Sequence, residues 1–395
     1  MDFRFTKEQE SFRKEVRDFL EEEVRKGVFE PFPNAWILRA GSDEFTRHLV
    51  ERGWIGMTWP KEYGGQGRSY LDRLIFNEEM MRYGAPMPKG WVGERQIGSS
   101  IMRYGTDEQK RYFLPKIIKG EIEFALGMSE PEAGSDLAGL KTRAVEDGDS
   151  FVINGQKVWT SNALRAEYIY LVVKTNFDPS VPNARSISEF IVDLKTPGIT
   201  INPLIDITGG NHWAEVFFDN VRVPKSALIG TRDKGFPQIM SQLDYERSGV
   251  ERLMSNYPML ASLIDYTKKT KRNGVPLCQV PRVRHTLSEL LIKFEVGKLL
   301  IYRVAWLLTQ KERTELTKYT CTAKAFGNRF EQELDNEAMN IVGLRGQLDK
   351  GSKCAILDGM ITRAYLYSPC HTVQAGTLEI LLNLLATRGL GLPRE

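Results

Sequence analysis

The chain has 395 residues, 42% hydrophobic and 27% charged, with 54 Lys and Arg against 51 Asp and Glu for a net charge of +3. At about 150 residues per domain this makes two or three domains with a sizeable core. The composition excludes a disordered chain, a collagen and a small disulfide scaffold, and so balanced a charge predicts no nucleic-acid footprint. Cys278, Cys321, Cys354 and Cys370 include no CxxC pair and read as reduced, mostly structural thiols of a cytoplasmic protein. His48, His212, His285 and His371 form no HExxH-type cluster, so no protein-ligated metal is expected. No apolar run reaches about 18 residues, so no membrane span is expected, and the charged start at Met1-Asp2-Phe3-Arg4 is not that of a signal peptide.

The first third reads helical. Thr6 and Gln9 form a capping sequence, after which Phe12, Val16, Phe19, Leu20 and Val24 recur at helical spacing. Further helices are predicted over 44–52, 72–83 and 97–104, and Thr106-Asp107-Glu108-Gln109-Lys110 opens another. The glycine-rich stretch 59–67 between them must be a loop. The middle third changes period. Residues 151–159 read as strand, Asn154-Gly155 turn and strand, while 168–174, 190–192 and 214–219 are further strands. Glycine and proline punctuation suggests an antiparallel barrel or sandwich. The last third returns to long amphipathic helices over 235–273, 280–309, 316–342, 353–367 and 377–388, which suggests a bundle. The division is into domains 1–120, 121–235 and 236–395.

Two segments bear on chemistry. In Phe124-Ala125-Leu126-Gly127-Met128-Ser129-Glu130-Pro131-Glu132-Ala133-Gly134-Ser135-Asp136 an apolar strand runs into a turn of small and hydroxyl residues. Such a turn exposes backbone N–H groups to a phosphate or a polar ring edge, or is simply a surface loop. Lys157-Val158-Trp159-Thr160-Ser161-Asn162 sets a tryptophan beside two hydroxyls at a strand end. That tryptophan either flanks an aromatic cofactor or belongs to the core.

Taken together these segments resemble the acyl-CoA dehydrogenase family, and the resemblance runs along essentially the whole chain. It includes Trp59-Pro60-Lys61-Glu62-Tyr63-Gly64-Gly65, Tyr104-Gly105-Thr106-Asp107-Glu108-Gln109-Lys110 with Leu114-Pro115, the Ser129–Asp136 turn, Val221-Arg222-Val223-Pro224 and Leu390-Gly391-Leu392-Pro393-Arg394. The resemblance implies an α+β multidomain fold: an N-terminal helical domain, a middle antiparallel β-barrel and a C-terminal four-helix bundle. It implies FAD, with Leu126, Met128 and Ser129 lining the isoalloxazine, Trp159 stacking near it, Ser161 bonding towards N5, and Thr377 and Glu379 passing the flavin again. Ser135 matches a position touching the CoA substrate. The implied reaction removes an α-proton and a β-hydride from an acyl-CoA to form the 2-enoyl-CoA, and an electron-transfer flavoprotein takes the electrons.

The chain also departs from the family pattern. The commonest base precedes a Gly-Thr near the C-terminus, where this chain has Ala375 before Gly376-Thr377. Glu246, in Leu243-Asp244-Tyr245-Glu246-Arg247, matches the alternative base of isovaleryl-CoA and long-chain acyl-CoA dehydrogenases and of the heteromeric enzymes that shorten steroid side chains. Asp244 and Arg247 match positions contacting the thioester arm, and the Ala375 N–H still donates to the thioester carbonyl. A base so moved suits acyl groups that are branched, cyclic or otherwise bulky near the α-carbon. Thr270 and Asn273 replace the arginine and aromatic residue that reach a neighbour's FAD in homotetrameric relatives, with Lys271 or Arg272 as possible substitutes, and Asn340 and Leu344 alter the partner-side flavin motif. The expectation is a homotetramer or an α2β2 heterotetramer with a paralogue. Glu94 and Arg95 fall near the family's acyl pocket floor, where they would read a polar group, although surface residues are the plainer expectation. The competing readings are a non-catalytic structural subunit and a relative with oxidase or desulfinase chemistry.

Overall fold

A computed structural model of the chain describes residues 3–31, 41–247, 250–310, 312 and 315–393, and of 244–247 the backbone alone. In chain order the elements are α1 (Lys7–Lys26), α2 (Asp43–Glu51), α3 (Tyr70–Arg82), α4 (Gly98–Tyr104) and α5 (Asp107–Ile118). There follow β1 (Phe124–Gly127), β2 (Arg143–Asp147), β3 (Ser150–Ser161), β4 (Tyr168–Lys174), β5 (Ile187–Asp193), β6 (Ile199–Leu204), β7 (Trp213–Pro224) and β8 (Leu228–Ile229). The rest is α6 (Gly235–Arg247), α7 (Glu251–Met254), α8 (Tyr257–Lys269), β9 (Lys271–Arg272), β10 (Val275–Pro276), α9 (Pro281–Thr309), α10 (Leu316–Val342), α11 (Met360–His371) and α12 (Leu378–Leu384). The chain divides into two compact units: one holds α1, α3 and everything from Arg247 onward, the other holds 42–67 and 88–246.

In the second unit the strands follow the order β6-β7-β3-β2-β4-β5-β8, with β1 alongside β4. The sheet is mixed rather than purely antiparallel, because β1 and β2 both pair with β4 in parallel. No pairing joins β6 to β8 among the described residues, so the expected barrel is not closed by hydrogen bonds. One face of β3, β4, β5 and β7 forms a core around Phe151, Ile153, Leu171, Phe190, Val216 and Phe218. The Asn154-Gly155 hairpin expected from the sequence is not a turn: both residues lie inside β3, where the register with β7 shifts between Ile153 and Gly155. Gly155 has φ 147, and a Cβ there would stand 2.6 Å from the Thr142 Cα, so glycine serves a close approach of backbones. The hairpin turn is instead Gly148-Asp149, between Asp147 and Ser150 of β2 and β3.

Local capping works as the sequence predicts. Thr6 with Gln9 forms the expected capping box at α1, and Thr106 opens α5 as expected, there also completing an unpredicted box with Gln109.

In the first unit α10 packs against α7, α9, α11 and α12, and α1 against α3. Arg13 bridges α1 to α3, with Nη1 donating to Glu78 Oε2 at 2.9 Å and Glu79 Oε1 at 2.8 Å, and Tyr302 Oη of α9 donates to Glu78 at 2.8 Å. The single helix expected over 235–273 is broken into α6, α7 and α8, followed by the β9–β10 hairpin. Pro258 sits in the first turn of α8, where its missing N–H costs nothing, and cannot continue a helix arriving from α7. No helix among the described residues is long and apolar enough to cross a membrane.

Candidate active site

The turn after β1 is built around a buried ion pair that sequence reasoning missed. Lys157, fully buried on β3, puts Nζ 2.7 Å from Glu130 Oε1 and donates to the Met128 carbonyl at 3.0 Å. Glu130 also accepts from the backbone N–H of Lys141 at 2.6 Å and of Thr142 at 2.9 Å. Burial pulls Lys157 down to about 8, only partly offset by Glu130, while burial of Glu130 is outweighed by Lys157 and the hydrogen bonds, which hold its carboxyl below the usual value. Both are therefore charged at neutral pH. The Val158 N–H donates to the Ser129 carbonyl at 2.9 Å, so β3 holds the turn through its backbone as well.

The same stretch of β3 changes register between Lys157 and Thr160. The irregularity throws Trp159 out of the sheet: its backbone is left-handed, φ 59, and its side chain is 60% exposed, which rules out the core reading. Thr160 is buried and Ser161 half-buried, so Trp159 and Ser161 share the outer side while Thr160 faces inward. Leu126, Met128 and Ser129 are likewise half-buried. An outward indole on a bulge, held beside a turn braced from behind by Lys157, fits a flat aromatic ring such as that of FAD. Ser135 lies farther along the turn and is exposed.

Helix α6 packs on the same region. Met128, Phe236 and Leu243 lie against the buried cluster of Ala133, Val172 and Ile239. Leu243 directly precedes the segment carrying Asp244, Glu246 and Arg247. Those three are on α6, but their side chains lie outside the described residues. Glu94 and Arg95 are not on the surface. They are 8% and 3% exposed, on a π-helical turn (Gly93–Ile97), with the Arg95 guanidinium 4.8 Å from the Trp91 ring centroid.

In the other unit, Ala375 has a left-handed backbone, φ 55, and is followed by Gly376 at φ 93. Thr377 caps α12, accepting from the Ile380 N–H at 3.3 Å, and Glu379 is exposed in its first turn. Beneath this turn lies a buried group of Arg252, Lys324, Glu331, Asp335 and His371. His371 Nε2 is 3.1 Å from Glu331 Oε1, and its Nδ1 is 2.7 Å from Gln374 Nε2. Burial, then the cations Arg252 and Lys324, hold His371 well below its usual value, so the ring is neutral. Burial pushes Glu331 well up, and pushes Asp335 up to about 8. Thr270, Asn273, Asn340 and Leu344 are at or near the surface, Leu344 being 82% exposed.

The chain is similar to known proteins along its whole length. The acyl-CoA dehydrogenase N-terminal domain model matches residues 6–121, the middle domain model 125–221 and the C-terminal domain model 233–390. The acyl-CoA dehydrogenase FadE26 of Mycobacterium tuberculosis is 34% identical over 396 residues, spanning 99% of this chain and 98% of its own. Among solved structures, the Tcur3481-Tcur3483 steroid ACAD superposes with TM-score 0.86 and the ChsE4-ChsE5 complex from Mycobacterium tuberculosis with 0.87, each at 32% identity and over 100% of both chains.

Proposed function

Because this chain belongs to the acyl-CoA dehydrogenase family, FAD-dependent oxidoreductases acting on CH–CH bonds, we propose that it converts a branched, cyclic or otherwise bulky acyl-CoA to the 2-enoyl-CoA, with Glu246 as the base. The observation that carries this reading is double: Ala375 stands where the commoner base would be, and α6, which bears Glu246, packs through Leu243 in the cluster that also takes Met128.

Bound FAD would supply the acceptor for the β-hydride. The protein's own residues do the rest. Glu246 takes the α-proton, a weak acid until the thioester carbonyl is polarised. The Ala375 N–H donates to that carbonyl and stabilises the charge that develops there. Trp159 would pack on the isoalloxazine, Leu126, Met128 and Ser129 would line it, Ser161 would donate towards N5, and Thr377 and Glu379 would belong to the segment that meets the flavin again. Asp244 and Arg247 hold the thioester arm and Ser135 the CoA. A methyl at 375 in place of a carboxylate leaves room for substituents near the α-carbon. The domains that carry these parts divide at 1–120, 121–235 and 236–395.

An electron-transfer flavoprotein is the electron acceptor in this reading, and a paralogous subunit completes the assembly as α2β2. Support for the latter comes from Thr270, Asn273, Asn340 and Leu344 and from the likeness to a ChsE4-ChsE5 complex. A second reading, a non-catalytic subunit, is favoured by Ala375 and those same four positions. Anaerobic titration of the flavoprotein with a panel of acyl-CoAs, with and without a co-expressed paralogue, separates the two. Bleaching that Glu246→Gln abolishes while keeping its FAD supports catalysis here, whereas normal turnover of the variant sinks the assignment. Oxygen uptake would point to oxidase chemistry.

A further inference from the structure

One buried side chain organises the backbone at Ala375. Lys324, on α10 and 2% exposed, donates from Nζ to three consecutive carbonyls: Gln374 at 2.6 Å, Ala375 at 2.8 Å and Gly376 at 2.8 Å. An ammonium has three N–H donors, and three successive peptides here take them. In a trans peptide the N–H points opposite to the C=O, and no cis bond occurs among the described residues. Drawing the Gln374 and Ala375 carbonyls onto Lys324 therefore turns the N–H groups of Ala375 and Gly376 away from it. Neither N–H has a hydrogen-bond partner among the described residues, whereas Gln374 N–H donates to Cys370 O at 2.9 Å and Leu378 N–H to Thr372 O at 2.9 Å on either side. The conformation that permits this is unfavourable for an alanine, with φ 55, and needs an outside hold. Lys324 grips the backbone, and the Gln374 side chain, 2.7 Å from His371 Nδ1, anchors the turn beside it.

We propose that Lys324 is a positioning residue for substrate recognition: by taking the carbonyls of the 374–376 turn it aims the Ala375 and Gly376 N–H groups, as a pair, at the thioester oxygen of the acyl-CoA. The inference rests on the reading of this chain as an acyl-CoA enzyme. It adds a residue that touches neither substrate nor flavin, and a second N–H donor.

The test compares two ligands on the FAD-loaded protein, or on its complex with the paralogue if FAD requires it. One is a saturated acyl-CoA thioester bound anaerobically to the Glu246→Gln form; the other is the matching thioether, with CH2 in place of the carbonyl. Binding is read from the flavin absorbance. The carbonyl should give the thioester an advantage of about tenfold, the worth of one good hydrogen bond. Lys324→Met should reduce that ratio to about twofold or less while thioether affinity stays within about twofold. A ratio left intact in Lys324→Met, whatever the fall in melting temperature, assigns Lys324 to stability alone and overturns the proposal. Should Lys324→Met not fold, Lys324→Gln, which keeps two amide donors, carries the same comparison. Failure of both ligands to perturb the flavin overturns the acyl-CoA reading itself, and this proposal with it.

Discussion

Lys157 and Glu130 form an ion pair with 2.7 Å between Nζ and Oε1, the lysine wholly buried and the carboxylate nearly so, directly behind the Met128-Ser129 turn. Removing one member of such a pair leaves a buried charge without compensation. Lys157→Met should therefore cost about 3–5 kcal/mol, and the Met128 carbonyl loses its donor as well. Urea unfolding together with the FAD content of the purified protein measures both effects. Adding Glu130→Gln to Lys157→Met should recover much of the stability, because the stranded charge is gone. A loss below about 1 kcal/mol in the single variant would show that the pair does not brace the turn.

Trp159 makes the opposite prediction. Its side chain is 60% exposed, so Trp159→Ala should leave the unfolding midpoint nearly unchanged. Stacking of an aromatic pair contributes about 1 kcal/mol beyond burial, which is roughly fivefold in affinity. FAD titrated into the apoprotein and followed by flavin fluorescence should accordingly bind several-fold more weakly to Trp159→Ala, with Trp159→Phe in between. Equal affinity for all three would remove the indole from the flavin site.

What was legible in the sequence was mostly local. The capping box at Thr6 and the helix start at Thr106 depend on residues a few positions apart, and both form. Asn154-Gly155 misled because the glycine answers a contact with Thr142 rather than a turn, and nothing within a few residues signals that. The run over 235–273 keeps helical periodicity through its breaks, so only Pro258 marked one of them. Glu94 and Arg95 read as solvated because charge usually is, yet the fold buries them. The two buried lysines that hold turns, one in each unit, were invisible for a related reason. Lys157 acts on a carbonyl 29 residues away and Lys324 on carbonyls 50 to 52 residues away, and a carbonyl has no letter of its own in a sequence.

Leu344 is 82% exposed, and Asn273 and Val275 of the β9–β10 hairpin region are exposed as well. In homotetrameric relatives the matching segments complete a neighbour's FAD site, and this chain offers Thr270, Asn273, Asn340 and Leu344 there. Produced alone, it should carry well under one FAD per chain, and co-production with a paralogue should raise that figure to the occupancy of an α2β2 assembly. Flavin-to-protein absorbance after gel filtration decides this. A homotetramer of this chain alone with full flavin and full turnover would exclude the need for a partner.

Glu189, buried on β5, accepts from Gln238 Nε2 at 2.6 Å, and burial pushes its carboxyl up to about 7 in spite of that hydrogen bond and the nearby Tyr170 hydroxyl. Between the unfolded value near 4.5 and the folded value of about 7 the native state binds the extra proton, so this group's stabilisation is complete below 4.5 and is lost as pH rises through 7. Glu123, up to about 7, and Asp335, up to about 8, act with the same sign. Lys157, lowered to about 8, acts with the opposite sign, but only between that value and 10.5. Glu331, pushed well up by burial, joins them, and His371, held well below its usual value, opposes them only up to about 6.5, so net stability should fall from pH 5 to pH 8. In Glu189→Gln, which keeps the shape and removes the titration, the fall should shrink by on the order of 3 kcal/mol, since one pKa unit is worth about 1.4 kcal/mol. Urea unfolding at pH 5, 6, 7 and 8 for both proteins gives the two slopes, and parallel slopes would mean that Glu189 is ionised in the native state across that range.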